Sequence, residues 1–140
     1  MKVAVVDGQG GGIGSLIVKR LREEFGDEIE ILALGTNSSA TSAMMKARAN
    51  RGATGENAII FNSDRVDFIL GPLSILVANG MLGELTPLMA ETLSSSRARK
   101  VLLPLNQEGI DLIGIEKEPL PHLVEKAIDL LRRYIKKEAW

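Results

Sequence analysis

The stretch VVDGQGGGIGSLIV, residues 5–18, sets five glycines between Gly8 and Gly14 directly behind an aliphatic run. Few features limit a fold as strongly as bare backbone between a strand-like and a helix-like segment. Glycine lets the chain turn tightly and lets another group come close to the main chain. Lys2 to Asp7 reads as a short strand buried on both faces. Ile13, Leu16, Ile17 and Leu21 then recur at helical spacing, and Gly26 is placed to end that helix. The chain therefore opens as strand, glycine loop, helix.

The alternation continues. Ile29 to Leu34 reads as a second strand, and Ser38 to Arg48 as a second helix started by a Ser/Thr cluster able to cap it. A short helix near Glu56 to Ser63 precedes a third strand, Asp67 to Leu70, which stops at Gly71-Pro72. Thr86-Pro87 pairs a capping residue with proline at the first helical position and opens a helix towards Ser95. Val101 to Leu103 is the next strand. Asn106 to Gly109 is too short for a helical crossover, so Ile110 to Ile115 is expected as an antiparallel edge strand. In the closing helix Leu120, Leu123, Val124, Ala127, Ile128, Leu131 and Ile135 form one stripe, with Arg132, Arg133, Lys136 and Lys137 suited to the dipole at its end.

Strands alternating with helices predict an α/β domain spanning 1–140. Its Rossmann-like, mostly parallel sheet has about five strands, with helices on both faces. The 140 residues suffice for one sizeable core, and a net charge of −1 lacks the basic excess that nucleic-acid binding requires. Zero cysteines and one histidine exclude disulfides, thiolate nucleophiles and imidazole-rich metal sites, so no metal is assigned. Met1-Lys2-Val3 enters the first strand with no signal-peptide pattern, so a cytoplasmic location is expected. The apolar stretch Pro72 to Leu82 is too short for a membrane span. Ile69 to Met89 as a whole is more apolar than one covering helix needs, so part of it is a candidate homodimer interface; a fully buried core helix explains it nearly as well.

Open sheets of this kind bind ligands beyond the carboxyl ends of their strands, near the point where strand order reverses. The residues expected there are Gly8, Gln9, Gly10, Gly11, Gly12, Ile13 and Gly14 after the first strand, and Gly35, Thr36, Asn37 and Ser38 after the second. Gly71 and Pro72 follow the third, and Asn106 the fourth. Such a small, neutral rim suits a phosphate or pyrophosphate approaching backbone at a helix start. The spacing G-x-x-x-G-I-G is a variant of the dinucleotide-binding loop, which makes NAD(P) or another nucleotide the expected cofactor. The competing explanation is that the glycines only let the helix pack tightly on its strand.

Several residues bear on the chemistry. Asp7 would repel a pyrophosphate unless it accepts hydrogen bonds from the loop's own amides or shares a metal ion with the ligand. The second strand ends without the acid that grips a ribose hydroxyl, which argues against ordinary NAD. Thr36, Asn37 and Ser38 instead suit a second phosphate or a helix cap. Asp7 and Glu56 are the candidate catalytic groups, although Glu56 also suits a helix start. His122, in the first turn of the last helix, reads as a surface residue.

The loop resembles that of short-chain dehydrogenases over the first strand, loop and helix. The active-site Tyr-x-x-x-Lys of those enzymes is missing, because the fourth residue after Tyr134 is Glu138. No Walker A Gly-Lys pair follows Gly14 either. Across almost the whole chain the words DGQGGGIG, ALGTN, TSAMMKA, GATGENAI, ILGP, MLGE, SSS and LPLN resemble the small bacterial family known as domain of unknown function 3842. That resemblance implies a Rossmann-like stand-alone protein and draws Asp7, Thr36, Asn37, Thr54, Glu56, Asn57 and Asn106 together at the rim, without naming an activity. A nucleotide-binding sensor or accessory module is the expected function. The competing readings are a small oxidoreductase or magnesium-dependent phosphate-ester hydrolase, and a structural protein-interaction module.

Overall fold

Three aliphatic runs form the middle of the sheet. In β1 (Lys2–Asp7), β2 (Glu30–Gly35) and β4 (Phe68–Pro72), Val3, Val5, Ile31, Ala33 and Leu70 point to one face, and Ala4, Val6, Leu34 and Ile69 to the other. All of these side chains are buried, as parallel strands covered on both sides require. The computed structural model describes residues 1–105 and 109–136. Its sheet has five parallel strands in the order β3-β2-β1-β4-β5, with β3 at Arg51–Thr54 and β5 at Arg99–Leu103.

The helices segregate by face. On one side α1 (Gly12–Phe25) packs between α2 (Ser38–Lys46) and α5 (Leu120–Ile135). The α5 stripe is buried at Leu123, Val124, Ala127, Ile128 and Leu131, and the pairs Arg20–Glu125 and Arg132–Glu24 join α5 to α1 along its edge. On the other side α3 (Glu56–Asn62) and α4 (Pro87–Ser95) cover Ala4, Val6, Leu34 and Ile69. Gly26, at φ 54°, ends α1. Thr86 caps α4 through the Met89 N–H, with Pro87 at the first helical position. The second helix ends two residues before the expected Arg48, because Arg48 itself turns left-handed at φ 85°.

The expected fifth strand is corrected. Ile110 to Ile115 is an exposed segment with a single bridge residue at Ile110 and a turn at Ile113-Gly114, and it forms none of the five strands of the described sheet. Gly109 and Gly114 adopt φ of 81° and 86°, which bends the chain at both ends of this stretch and breaks any extended run. The fifth strand is instead β3, parallel to β2 and placed at the edge, with three of its four residues exposed. Lys137, expected at the end of α5, lies outside the described residues, as does Asn106.

Part of the apolar stretch from Ile69 to Met89 is core, but it runs through β4, a short 3-10 turn and a loop, and no single buried helix covers it. Ile69, Leu70, Ile75, Leu85 and Met89 are buried within the chain, while Leu82 and Leu88 stay exposed. No helix among the described residues is long and apolar enough to cross a membrane. Strand order reverses between β1 and β4, so the glycine loop after β1 stands at the topological switch point.

Candidate functional site

The loop from Gly8 to Gly11 is built around Asp7. This carboxylate ends β1 and is 3% exposed. Its Oδ1 accepts the Gly8 N–H at 2.8 Å, and its Oδ2 accepts the Gly14 N–H at 2.6 Å. Both oxygens are thus turned inward to the loop's own amides, and a Gly11 N–H to Gly8 carbonyl bond of 2.9 Å closes the turn. Burial pushes the Asp7 carboxyl above its ordinary value, against the pull of the two N–H groups; the nearby Glu84 charge adds to the rise.

The glycines divide into two sets. A Cβ at Gly8 would stand 2.5 Å from Thr36 Oγ1 and 2.6 Å from Met81 Sδ; at Gly14 it would stand 2.7 Å from Met44 Sδ and 2.8 Å from Asp7 Cβ. Gly11 is left-handed at φ 74° and lies against the Ala40 backbone. Gly35 and Gly71 are buried inside β2 and β4, where a Cβ would strike Thr41 and the Val6 carbonyl. These residues serve internal packing. Gly71 and Pro72 also lie two residues further into the sheet than expected, because they continue the β4 pairing opposite Leu102 and Leu103. Gly10 and Gly12 are different: both are exposed, and a Cβ on either would meet nothing within 4 Å. Beside them, the Gly12 and Ile13 N–H groups at the start of α1 have no hydrogen-bond partner among the described residues.

At the end of β2, Asn37 caps α2 by accepting the Ala40 N–H at 2.9 Å, and Ser38 is exposed on the first turn. A residue the sequence did not single out completes this corner. Glu84 arrives from the loop before α4, and its Oε1 accepts the Gln9 N–H at 2.9 Å, the Thr36 hydroxyl at 2.7 Å and Asn37 Nδ2 at 2.7 Å. Asn37 Nδ2 also donates to the Gln9 carbonyl at 3.0 Å. These donors, led by Thr36 and Gln9, hold the Glu84 carboxyl below its ordinary value. The loop that delivers it turns through left-handed residues at Asn79, Met81, Leu82 and Gly83. For the two bulky residues, Met81 and Leu82, that conformation costs about 1–2 kcal/mol each. The only sequence trace of Glu84 itself was the word MLGE, which ends on it.

The remaining candidates lie elsewhere. Thr54 Oγ1 pairs with Thr41 Oγ1 at 2.7 Å, tying β3 to α2. Glu56 starts α3, and its Oε2 accepts the Thr86 hydroxyl at 2.5 Å, joining the starts of α3 and α4. Asn57 and His122 are exposed. Among the described residues no three His, Cys, Asp or Glu side chains cluster as a metal site. A cleft of about 330 Å³ opens beyond the ends of β4 and β5, walled by Leu73, Pro104, Leu105, Ile110 and Leu112. By strand order it lies across the switch point from Glu84.

No curated protein is significantly similar to the chain. Among solved structures, a dodecameric FMN-dependent Ubix-like decarboxylase from Escherichia coli O157:H7 is similar over 94% of both chains, with 16% identity and a TM-score of 0.47. A likeness at that level carries nothing about ligand or activity. Residues 2–136, nearly the full length and including every corner of the site just described, match the family described as domain of unknown function DUF3842, and the chain belongs to that family.

Proposed function

We propose that this protein binds a phosphate-bearing ligand of the nucleotide class, NAD(P)-like or related, at the start of α1, and acts as a binding or sensor module. The observation that carries this reading is the division among the glycines. Packing accounts for Gly8, Gly11, Gly14, Gly35 and Gly71, yet it leaves Gly10 and Gly12 facing open space beside two unpartnered N–H groups. Backbone without side chains, at the positive end of a helix and at the switch point of a parallel sheet, suits the approach of a phosphate. Asp7, with both oxygens held by loop amides, braces the loop in this reading and is not assigned to catalysis. Glu56, bonded to Thr86, links two helix starts.

The test is a thermal-shift panel of NAD, NADP, ATP, GTP, FMN and inorganic phosphate on the wild-type chain and on Gly12→Asp. A ligand at about 100 times its Kd adds roughly 2.7 kcal/mol to stability, which is readily seen as a rise in Tm. An acidic residue in the first turn of a helix favours the helix dipole, so Gly12→Asp keeps the fold while placing a negative charge in the phosphate position. The expected result is a rise for a nucleotide that disappears in the variant. No rise with any of these ligands, or a rise that Gly12→Asp leaves intact, rejects the reading.

A further inference from the structure

We propose that Glu84 makes the corner at the end of β2 a receptor for free ribose hydroxyls and not for a second phosphate. This rests on the nucleotide reading above and narrows it. The argument is a count of donors. A threonine hydroxyl has one hydrogen to give and an asparagine amide has two. The Thr36 hydrogen goes to Glu84 Oε1, and the two Asn37 hydrogens go to Glu84 Oε1 and the Gln9 carbonyl. The Gln9 N–H is also spent on Glu84. Among the side chains of the three residues expected to hold a second phosphate, only the Ser38 hydroxyl is unengaged, and of their main-chain N–H groups Thr36 is spent on the Asp7 carbonyl while those of Asn37 and Ser38 have no partner among the described residues.

On the side of Gln9 and Thr36, what the corner has left is an acceptor. Glu84 Oε2 has no hydrogen bond among the described residues, and its partner oxygen is fixed by three donors, so the group cannot easily swing away. A fixed carboxylate oxygen beside a phosphate-binding loop receives hydroxyl hydrogens and repels a phosphate. In dinucleotide-binding folds an acid at the end of the second strand performs that task. Here β2 ends in Gly35, Thr36 and Asn37, and the acid is carried to the same place by a loop nearly fifty residues away, |i−j| being 48 from Thr36. Gly8 makes the arrangement possible, since a Cβ there would lie 3.0 Å from Glu84 Oε1 and 2.5 Å from Thr36 Oγ1.

Calorimetric titration of the wild-type chain with AMP and GMP, their 2′-deoxy forms and their 2′,5′-bisphosphates tests the assignment without any variant. The 5′-monophosphates should bind tightest. Removing the 2′-hydroxyl should weaken binding by about tenfold, the effect of losing one hydrogen bond to a charged group, and the 2′-phosphate should weaken it further. Glu84→Gln should recover much of the bisphosphate affinity by removing the charge. Equal binding of all three forms, or tightest binding of the bisphosphate, overturns the role of Glu84 while leaving the phosphate site standing. Failure of all the nucleotides, together with no response to inorganic phosphate or the dinucleotides, overturns both.

Discussion

Two carboxylates stand at the same end of the sheet, and their surroundings drive them in opposite directions. Asp7 is buried and turned inward, and loss of water raises its pKa despite two N–H donors. Glu84 sits half-buried at the rim, and three donors converging on Oε1 lower its pKa. One charge is part of the framework that shapes the glycine loop. The other keeps one oxygen, Oε2, without a hydrogen bond among the described residues. Similar chemistry bonded to one loop thus divides into support and, in the proposed reading, recognition, decided by whether the second oxygen is already engaged.

Removing the framework charge is the strongest way to probe that contrast. Asp7→Ala strips the acceptor from two buried amides, Gly8 and Gly14. Hydrogen bonds to charged groups contribute about 1.5–3 kcal/mol each, but desolvation of the carboxylate offsets part of the sum. A net loss of about 3 kcal/mol is expected, or roughly 10 °C in Tm for a chain of this size. Urea unfolding checks it. A loss below about 1 kcal/mol would mean that Asp7 is not the loop's brace.

The packing glycines rank next. Gly71→Ala places a Cβ 2.5 Å from the Val6 carbonyl, a backbone atom in the middle of the sheet that cannot move aside. Overpacking of this kind costs typically about 1–3 kcal/mol, and about 2 kcal/mol is expected by the same unfolding measurement. A neutral outcome would remove the distinction between glycines that pack and glycines that face open space.

That distinction also shows what could be read before the structure. The first strand, glycine loop and helix were legible because β1 is buried on both faces and α1 shows a clean stripe ending at Gly26. The start of α4 was legible from Thr86-Pro87, since a cap and an N1 proline are local signals. Arg51–Thr54 was not, because an edge strand with an exposed face needs no apolar run. The apolar residues of Ile110 to Ile115 imitated a strand, and two left-handed glycines undid it. Within the site, the bond between Asp7 and the loop amides spans seven residues and was open to anticipation. The Glu84 contact to Gln9 spans 75: Asn79-Gly80 and Gly83 signal a turn, but no local pattern says which distant loop that turn brings Glu84 to.

A smaller effect follows from the charge at the rim. Glu84→Gln keeps an oxygen for Gln9, Thr36 and Asn37 but removes the charge that strengthens those bonds, for an expected loss of about 1 kcal/mol at pH 7. The pH dependence carries the sign. A carboxyl whose pKa is lowered on folding contributes fully above its ordinary value of 4.5, and the contribution fades as the pH falls through the folded value. The gap between wild type and variant should therefore be constant from pH 7 to about 5 and close below 4.5. Asp7 runs the other way: its pKa is raised, so the part of its contribution that is linked to its proton is complete in acid, below 3.8, and is lost as the pH rises through the folded value, while the two N–H bonds that Asp7→Ala removes persist. A gap that widens in acid would mean that Glu84 does not hold its charge against these three donors.

The smallest effect separates stability from function. Gly12 occupies the first position of α1 in ordinary helical conformation, with nothing within 4 Å of a built Cβ. Alanine there restricts the unfolded chain and meets no atom in the folded one, so Gly12→Ala should raise stability by about 0.5 kcal/mol, a Tm gain of about 2 °C. Glycine at this position is thus the less stable choice for the isolated fold. If backbone approach by a phosphate is what the position serves, the methyl group should weaken nucleotide binding even as it stabilises the protein. Melting curves with and without the nucleotide identified in the panel resolve the two effects, because only the liganded curve carries the second. A variant that gains stability and binds as well as wild type would mean that the ligand does not approach the backbone at Gly12.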